Sequence, residues 1–108
     1  MSITVLLRYK GKDGSARNFV KEMIESGTVE KIRQEEGNLR YEYFESIEDP
    51  QTVLLIDSWK NQEAIDRHHE SEMMHTIASL REKYDLHMEV ERYTEIDNEE
   101  KDERFIRR

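Results

Sequence analysis

Two adjacent histidines, His68 and His69, stand in the stretch DSWKNQEAIDRHHESEMM (57–74), shortly after a strand-like run that ends in Trp59. Histidine binds metals, moves protons near neutral pH, or packs as a hydrogen-bonded core residue. Helical geometry separates the pair. At ~100° per residue, with Ala64 as origin, His68 lies at about 40°, Ile65 at about 100° and His69 at about 140°. Asp66 and Arg67 fall near 200° and 300°, on the opposite face. His68 therefore sits within the apolar stripe, and His69 on its shoulder. Adjacent helical residues diverge too far to chelate one ion, which needs i, i+4 spacing. His75 lies roughly 10 Å further along a continuous helix. No metal is expected. Asn38, Tyr41, Tyr43 and Trp59 are the polar and aromatic residues that can converge with His68, and Met73 and Met74 can wall the same space. Such a pocket between sheet and helices suits a flat apolar ligand, and a histidine in it can take a phenolic proton. Core packing is the alternative for His68, Met73 and Met74.

The elements that must hold these side chains follow from periodicity and turn chemistry. ITVLLRY (3–9) is an apolar run of strand formers closed by GKDG (11–14). Ser15 is placed to cap a helix carrying Phe19, Val20, Met23 and Ile24 at helical spacing. Gly27 interrupts it, and TVEKIRQEEG extends a second helical piece to Gly37. LRYEYFES (39–46), the turn EDPQ and TVLLIDSW (52–59) read as a β-hairpin. Asn61 is a plausible N-cap for a helix to about Glu70; Ser71 restarts one to about Tyr84, and LHMEVERYTE (86–95) is a final strand.

The order β-α-β-β-α-β predicts an α+β, ferredoxin-like antiparallel sheet with helices on one face. A sheet wetted on its other face should alternate apolar and polar residues. Here Val53 and Leu55 oppose Leu54 and Ile56, Leu39, Tyr41 and Tyr43 oppose Phe44, and Ile3, Val5 and Leu7 oppose Leu6. Both faces therefore look covered, the second by another copy of the sheet, which predicts a homodimer.

Composition narrows the function classes. A chain of 108 residues suggests one domain, 1–95, followed by the charged tail 96–108. Nine of the twelve residues in DNEEKDERFIRR are charged, so the tail reads as solvated, with Phe105 and Ile106 available to a partner. A net charge of -8 disfavours nucleic acid and anionic membranes. No apolar run approaches a membrane span and no signal-peptide pattern is present, so a cytoplasmic location is expected. With no cysteine there is no disulfide or thiolate chemistry.

The segment 35–74, EEGNLRYEYFESIEDPQTVLLIDSWKNQEAIDRHHESEMM, resembles the antibiotic biosynthesis monooxygenase family, through Glu35, Gly37, Tyr41, Pro50, Trp59, Ala64, Ile65, His68 and Ser71 in order. REKYDLHMEVERY (81–93) extends the likeness, so nearly all of 1–95 is covered. Within that family the chain looks most like the small quinol monooxygenases. The resemblance implies a dimeric α/β-barrel, and a reaction of a small aromatic substrate with dioxygen that uses no flavin, haem or metal. It implies His68 as the base and Trp59 and Asn38 as substrate-lining groups. Two positions depart from the family pattern. Met73 stands where many members carry a second histidine, and His69 stands where an aliphatic residue is common. Haem-degrading relatives would place Trp at position 68 and a haem-ligating His at 78, which are His68 and Ala78 here. The leading expectation is a cofactor-independent monooxygenase of a quinol or polyphenol. An isomerase working by proton transfer on a small carbonyl metabolite, and a non-catalytic dimeric small-molecule-binding protein, are the alternatives.

Overall fold

The computed structural model describes residues 1–108. Its elements run β1 (Ile3–Lys10), α1 (Ser15–Glu25), α2 (Thr28–Arg33), β2 (Asn38–Glu45), β3 (Thr52–Trp59), α3 (Gln62–His69), α4 (Glu72–Lys83) and β4 (His87–Tyr93). A short 3₁₀ turn, Glu100–Phe105, lies in the tail. The four strands form one antiparallel sheet in the order β2-β3-β1-β4. The α+β ferredoxin-like arrangement is thus present, each helical limb being broken into two pieces.

The expected α/β-barrel is not. The sheet is open, with β2 and β4 as its two edges. Successive strands twist by only about 20–25°, so four of them cannot bring the first edge round to the last.

Alternation along the strands decides which side chains meet the helices. Leu7 and Tyr9 from β1, Tyr41 from β2, and Val53, Leu55 and Trp59 from β3 are buried with Phe19, Met23, Ile32, Ala64, Ile65, Ile77 and Leu80. The face away from the helices carries Leu6, Leu54, Ile56 and Phe44, none of them fully buried. Ion pairs Arg8–Glu91, Lys10–Glu89 and Arg40–Glu42 border that apolar centre. Leu39 departs from the expected pattern. The β2–β3 register shifts between Asn38 and Arg40, so Leu39 is the extra residue of a bulge and is 59% exposed instead of sharing a face with Tyr41.

Local chemistry places α3 against the start of β2. The Asn61 side chain caps the helix by accepting from the Ala64 backbone N–H at 3.0 Å, as the sequence predicts. Gly37 has φ 86°, a left-handed conformation, and a Cβ there would lie 2.6 Å from the Ala64 Cβ. Its carbonyl also accepts from Lys60 N–H at 2.8 Å. Gly37 therefore ends no helix, since α2 stops at Arg33. Instead it lets the chain entering β2 touch the first turn of α3. At the first helix the N-cap is Gly14, with φ 79°, and Ser15 is already helical. The Ser15 hydroxyl accepts the Lys12 N–H, closing the turn and not capping the helix.

Candidate active site

A cavity of about 280 Å³ lies between the sheet and helices α3 and α4. Its floor includes Val5, Leu7, Leu55 and Asp57, and its helical wall includes Ile65, His68, Met74, Ile77 and Arg81. Tyr41 and Trp59 close one side; Met88, Val90 and Arg92 of the edge strand β4 form the other. An apolar cavity of ~150 Å³ already accepts a benzene ring, so this space suits one substituted ring.

His68 is 6% exposed and reaches the cavity from the buried face of α3. Its Nδ1 lies 3.1 Å from each carboxylate oxygen of Glu35, in the loop between α2 and β2. An ionised carboxylate can only accept, so neutral His68 carries its proton on Nδ1 and leaves Nε2 as the basic nitrogen. Burial lowers the His68 pKa, opposed by the Glu35 hydrogen bond and charge. The ring stacks on the Trp59 indole, with centroids 4.7 Å apart and planes 31° from parallel. Its backbone carbonyl accepts from the Ser71 hydroxyl at 2.6 Å, tying the end of α3 to the start of α4.

Asp57 is the second titratable group on the floor. It is 7% exposed, on the central strand β3, between Val5 of β1 and Tyr41 of β2. One carboxylate oxygen accepts from the Trp59 indole N–H at 3.0 Å. Desolvation raises its pKa to about 6, against the lowering effects of the Trp59 hydrogen bond and the Arg81 charge. Arg81 donates from Nη2 to the Tyr9 hydroxyl at 2.9 Å, while its Nε is buried without a partner.

The residues expected from sequence divide clearly. His68, Trp59, Tyr41 and His69 all border the cavity, His69 as an exposed residue whose ring centroid is 5.9 Å from that of His68. Met73 packs against the core outside the cavity lining, which includes its neighbour Met74. Tyr43 lies two residues further along β2, its hydroxyl 3.3 Å from that of Tyr41, beside a separate groove against α1. That groove is similar in size, about 300 Å³, but its charged pair Arg17–Glu45 is exposed. Asn38 lines neither; its amide donates to the Arg40 carbonyl at 3.2 Å at the bulge.

Glu35, Asp57 and Arg81 are absent from the roles the sequence suggests. Two of them left a trace. Period-two alternation puts Asp57 between Leu55 and Trp59 on the core face, and Met74, Ile77 and Arg81 follow helical i, i+3, i+7 spacing. Glu35 belongs to the family-like pattern, but nothing in its spacing points at a residue 33 positions later. No group of three or more His, Cys, Asp or Glu side chains converges anywhere in the chain.

The model of the family described as antibiotic biosynthesis monooxygenase matches residues 2–79. The chain belongs to that family. Solved structures share the fold at low identity. A protein from Pseudomonas aeruginosa superposes with TM-score 0.76 at 20% identity, covering 89% of this chain and 95% of its own. A conserved protein from Methanosarcina mazei gives 0.74 at 23%, covering 86% and 91%. SnoaB, a cofactor-independent oxygenase from Streptomyces nogalater, gives 0.73 at 15%, covering 90% and 95%. No curated protein matches the chain in sequence.

Proposed function

We propose that the cavity is the active site of a cofactor-independent monooxygenase that oxidises a small quinol or polyphenol with dioxygen. The single observation that carries this reading is the buried His68, with Nδ1 on Glu35 and the ring stacked on Trp59 in a cavity of one-ring size. Membership of the family and likeness in fold to a cofactor-independent oxygenase support it.

Nε2 of neutral His68 takes a phenolic proton, and Glu35 stabilises the imidazolium that results. The electron-rich substrate anion then reduces dioxygen. One oxygen atom enters the ring and the other leaves as water, so a hydroquinone becomes a hydroxyquinone. The four electrons come from the substrate. The apolar walls hold the ring and keep bulk water from the anion.

Oxygen consumption with a panel of hydroquinones tests the reading. Wild type should turn over at least one of them, and His68→Ala should lose about 10²-fold or more of the rate. Equal rates in the variant, or no oxygen uptake on any quinol, overturn it. A second reading draws on the same cavity holding two titratable groups, His68 and Asp57: proton-transfer isomerisation of a small carbonyl compound. Conversion that continues without oxygen would select it.

The apolar centre of the open face, Leu6, Leu54, Ile56 and Phe44, supports pairing with a second copy of the chain. We take the working form to be a homodimer joined through that face.

A further inference from the structure

Asp57 occupies an unfavourable position. A carboxylate on the core face of a central strand loses most of its hydration, and a single hydrogen bond does not replace it. Holding the Trp59 indole requires only an acceptor, which a neutral amide would supply without burying a charge. The other carboxylate oxygen makes no hydrogen bond, although the residue lines the cavity. The polar groups facing the same space do not satisfy it. Arg81 of α4 directs Nη2 to Tyr9, and Arg92 of β4 donates to Gln62 of α3 at 2.5 Å. Tyr41 of β2 has its hydroxyl beside that of Tyr43, and His68 of α3 has Nδ1 on Glu35. Two residues that line the cavity thus each keep an acceptor without a hydrogen bond, His68 at Nε2 and Asp57 at one oxygen. Trp59 touches both residues, stacking on the His68 ring and donating its indole N–H to the other oxygen of Asp57.

We propose that Asp57 is a specificity-determining residue: its free carboxylate oxygen accepts a hydrogen bond from a second hydroxyl of the ligand, so the cavity selects dihydroxylated rings over rings with one hydroxyl. This deepens the monooxygenase reading and rests on it for the location of the site. The physical basis is the asymmetry of buried acceptors. A ligand with two hydroxyls satisfies both acceptors. A ligand with one leaves a desolvated acceptor unpaired and is penalised beyond the missing contact. The choice of ring thereby separates from the proton-transfer step. His68 supplies the base, and Asp57 decides which ring lies in front of it.

The test measures binding, not turnover. Calorimetric titration of wild type and Asp57→Asn with 1,4-dihydroxybenzene and with 4-methoxyphenol is carried out without oxygen, so that no conversion occurs. In D57N the side-chain amide oxygen still accepts from Trp59, and the NH₂ group replaces the free acceptor. Wild type should bind the dihydroxy ring about tenfold or more tightly than its monomethyl ether. D57N should bring that ratio to about one, losing affinity for the dihydroxy ring while binding 4-methoxyphenol at least as tightly as wild type, since no acceptor is then left unpaired; this also reports an intact cavity. An unchanged ratio in D57N, equal affinities in wild type, or an equal loss for both ligands assigns Asp57 a structural role and overturns the proposal. The monooxygenase reading fails separately, by lack of oxygen uptake in a protein that still discriminates.

Discussion

Nδ1 of His68 lies 3.1 Å from both carboxylate oxygens of Glu35, and both side chains are nearly buried. This pair fixes which ring nitrogen carries the proton. Glu35→Gln preserves size but lets the amide donate to Nδ1, which moves the proton to Nε2 and removes the base. Turnover of a quinol should fall about 10²-fold or more in E35Q with little change in melting temperature. A variant that keeps wild-type kcat would detach Glu35 from the chemistry.

The His68 pKa is lowered by burial, so the free base persists into mildly acidic solution. Catalysis through Nε2 requires that base. The rate should hold steady as pH falls past the ordinary histidine value of about 6.5 and drop only at lower pH. A kcat/KM profile on an oxygen electrode checks this, and a limb centred above about 6.5 contradicts it.

Asp57 links the site to stability with a definite sign. Its pKa rises from 3.8 to about 6 on folding, so the folded state binds the proton more tightly than the unfolded chain. This contribution is fully present below pH 3.8 and is lost as pH rises to about 6. Removing the charge with Asp57→Asn should stabilise the fold by up to about 3 kcal/mol at about pH 7 and by little near pH 4. His68 acts oppositely, since its lowered pKa costs stability as pH falls through the folded value and nothing above the unfolded one. Urea unfolding of wild type and D57N at both pH values separates the two; equal stability of both proteins near neutral pH would refute the Asp57 assignment.

Gly37→Ala tests the contact that seats α3. The φ of 86° and the 2.6 Å approach to Ala64 both oppose a methyl group there. The expected cost is on the order of 1–3 kcal/mol, together with a shift of the His68 ring signals in NMR spectra. Unaltered stability would mean that the β2 entry and α3 move apart freely.

Ile56 sits at the centre of the sheet face that carries no helix. If a second copy covers it, Ile56→Glu buries a charge in the interface and should convert a dimer to a monomer in sedimentation at micromolar concentration. Monomeric wild-type protein under the same conditions would leave the apolar character of that face without a dimer to explain it.

What was legible in the sequence was whatever depends on local period and cap chemistry. Alternation in TVLLIDSW, helical spacing around Ala64 and His68, and the Asn61 cap set the elements and aim His68 inward. Where a residue's fate turned on register, local pattern failed. A single bulge turned Leu39 outward and left Asn38 bonded to Arg40, away from the cavity. Of the two methionines expected to wall the cavity only Met74 lines it, because one helical step rotates a side chain by ~100°.

Hydrophobic period and turn residues alone determined the order of strands and helices and the direction in which His68 points, because both repeat over a few residues. Only the tertiary structure decided that the sheet stays open, that Glu35 meets Nδ1, and that Asp57 lies under Trp59 in the same cavity. The physical reason is range. Twist accumulates across the whole sheet, and a carboxylate finds a histidine 33 residues away only when the contact of α3 with the loop entering β2 brings them together.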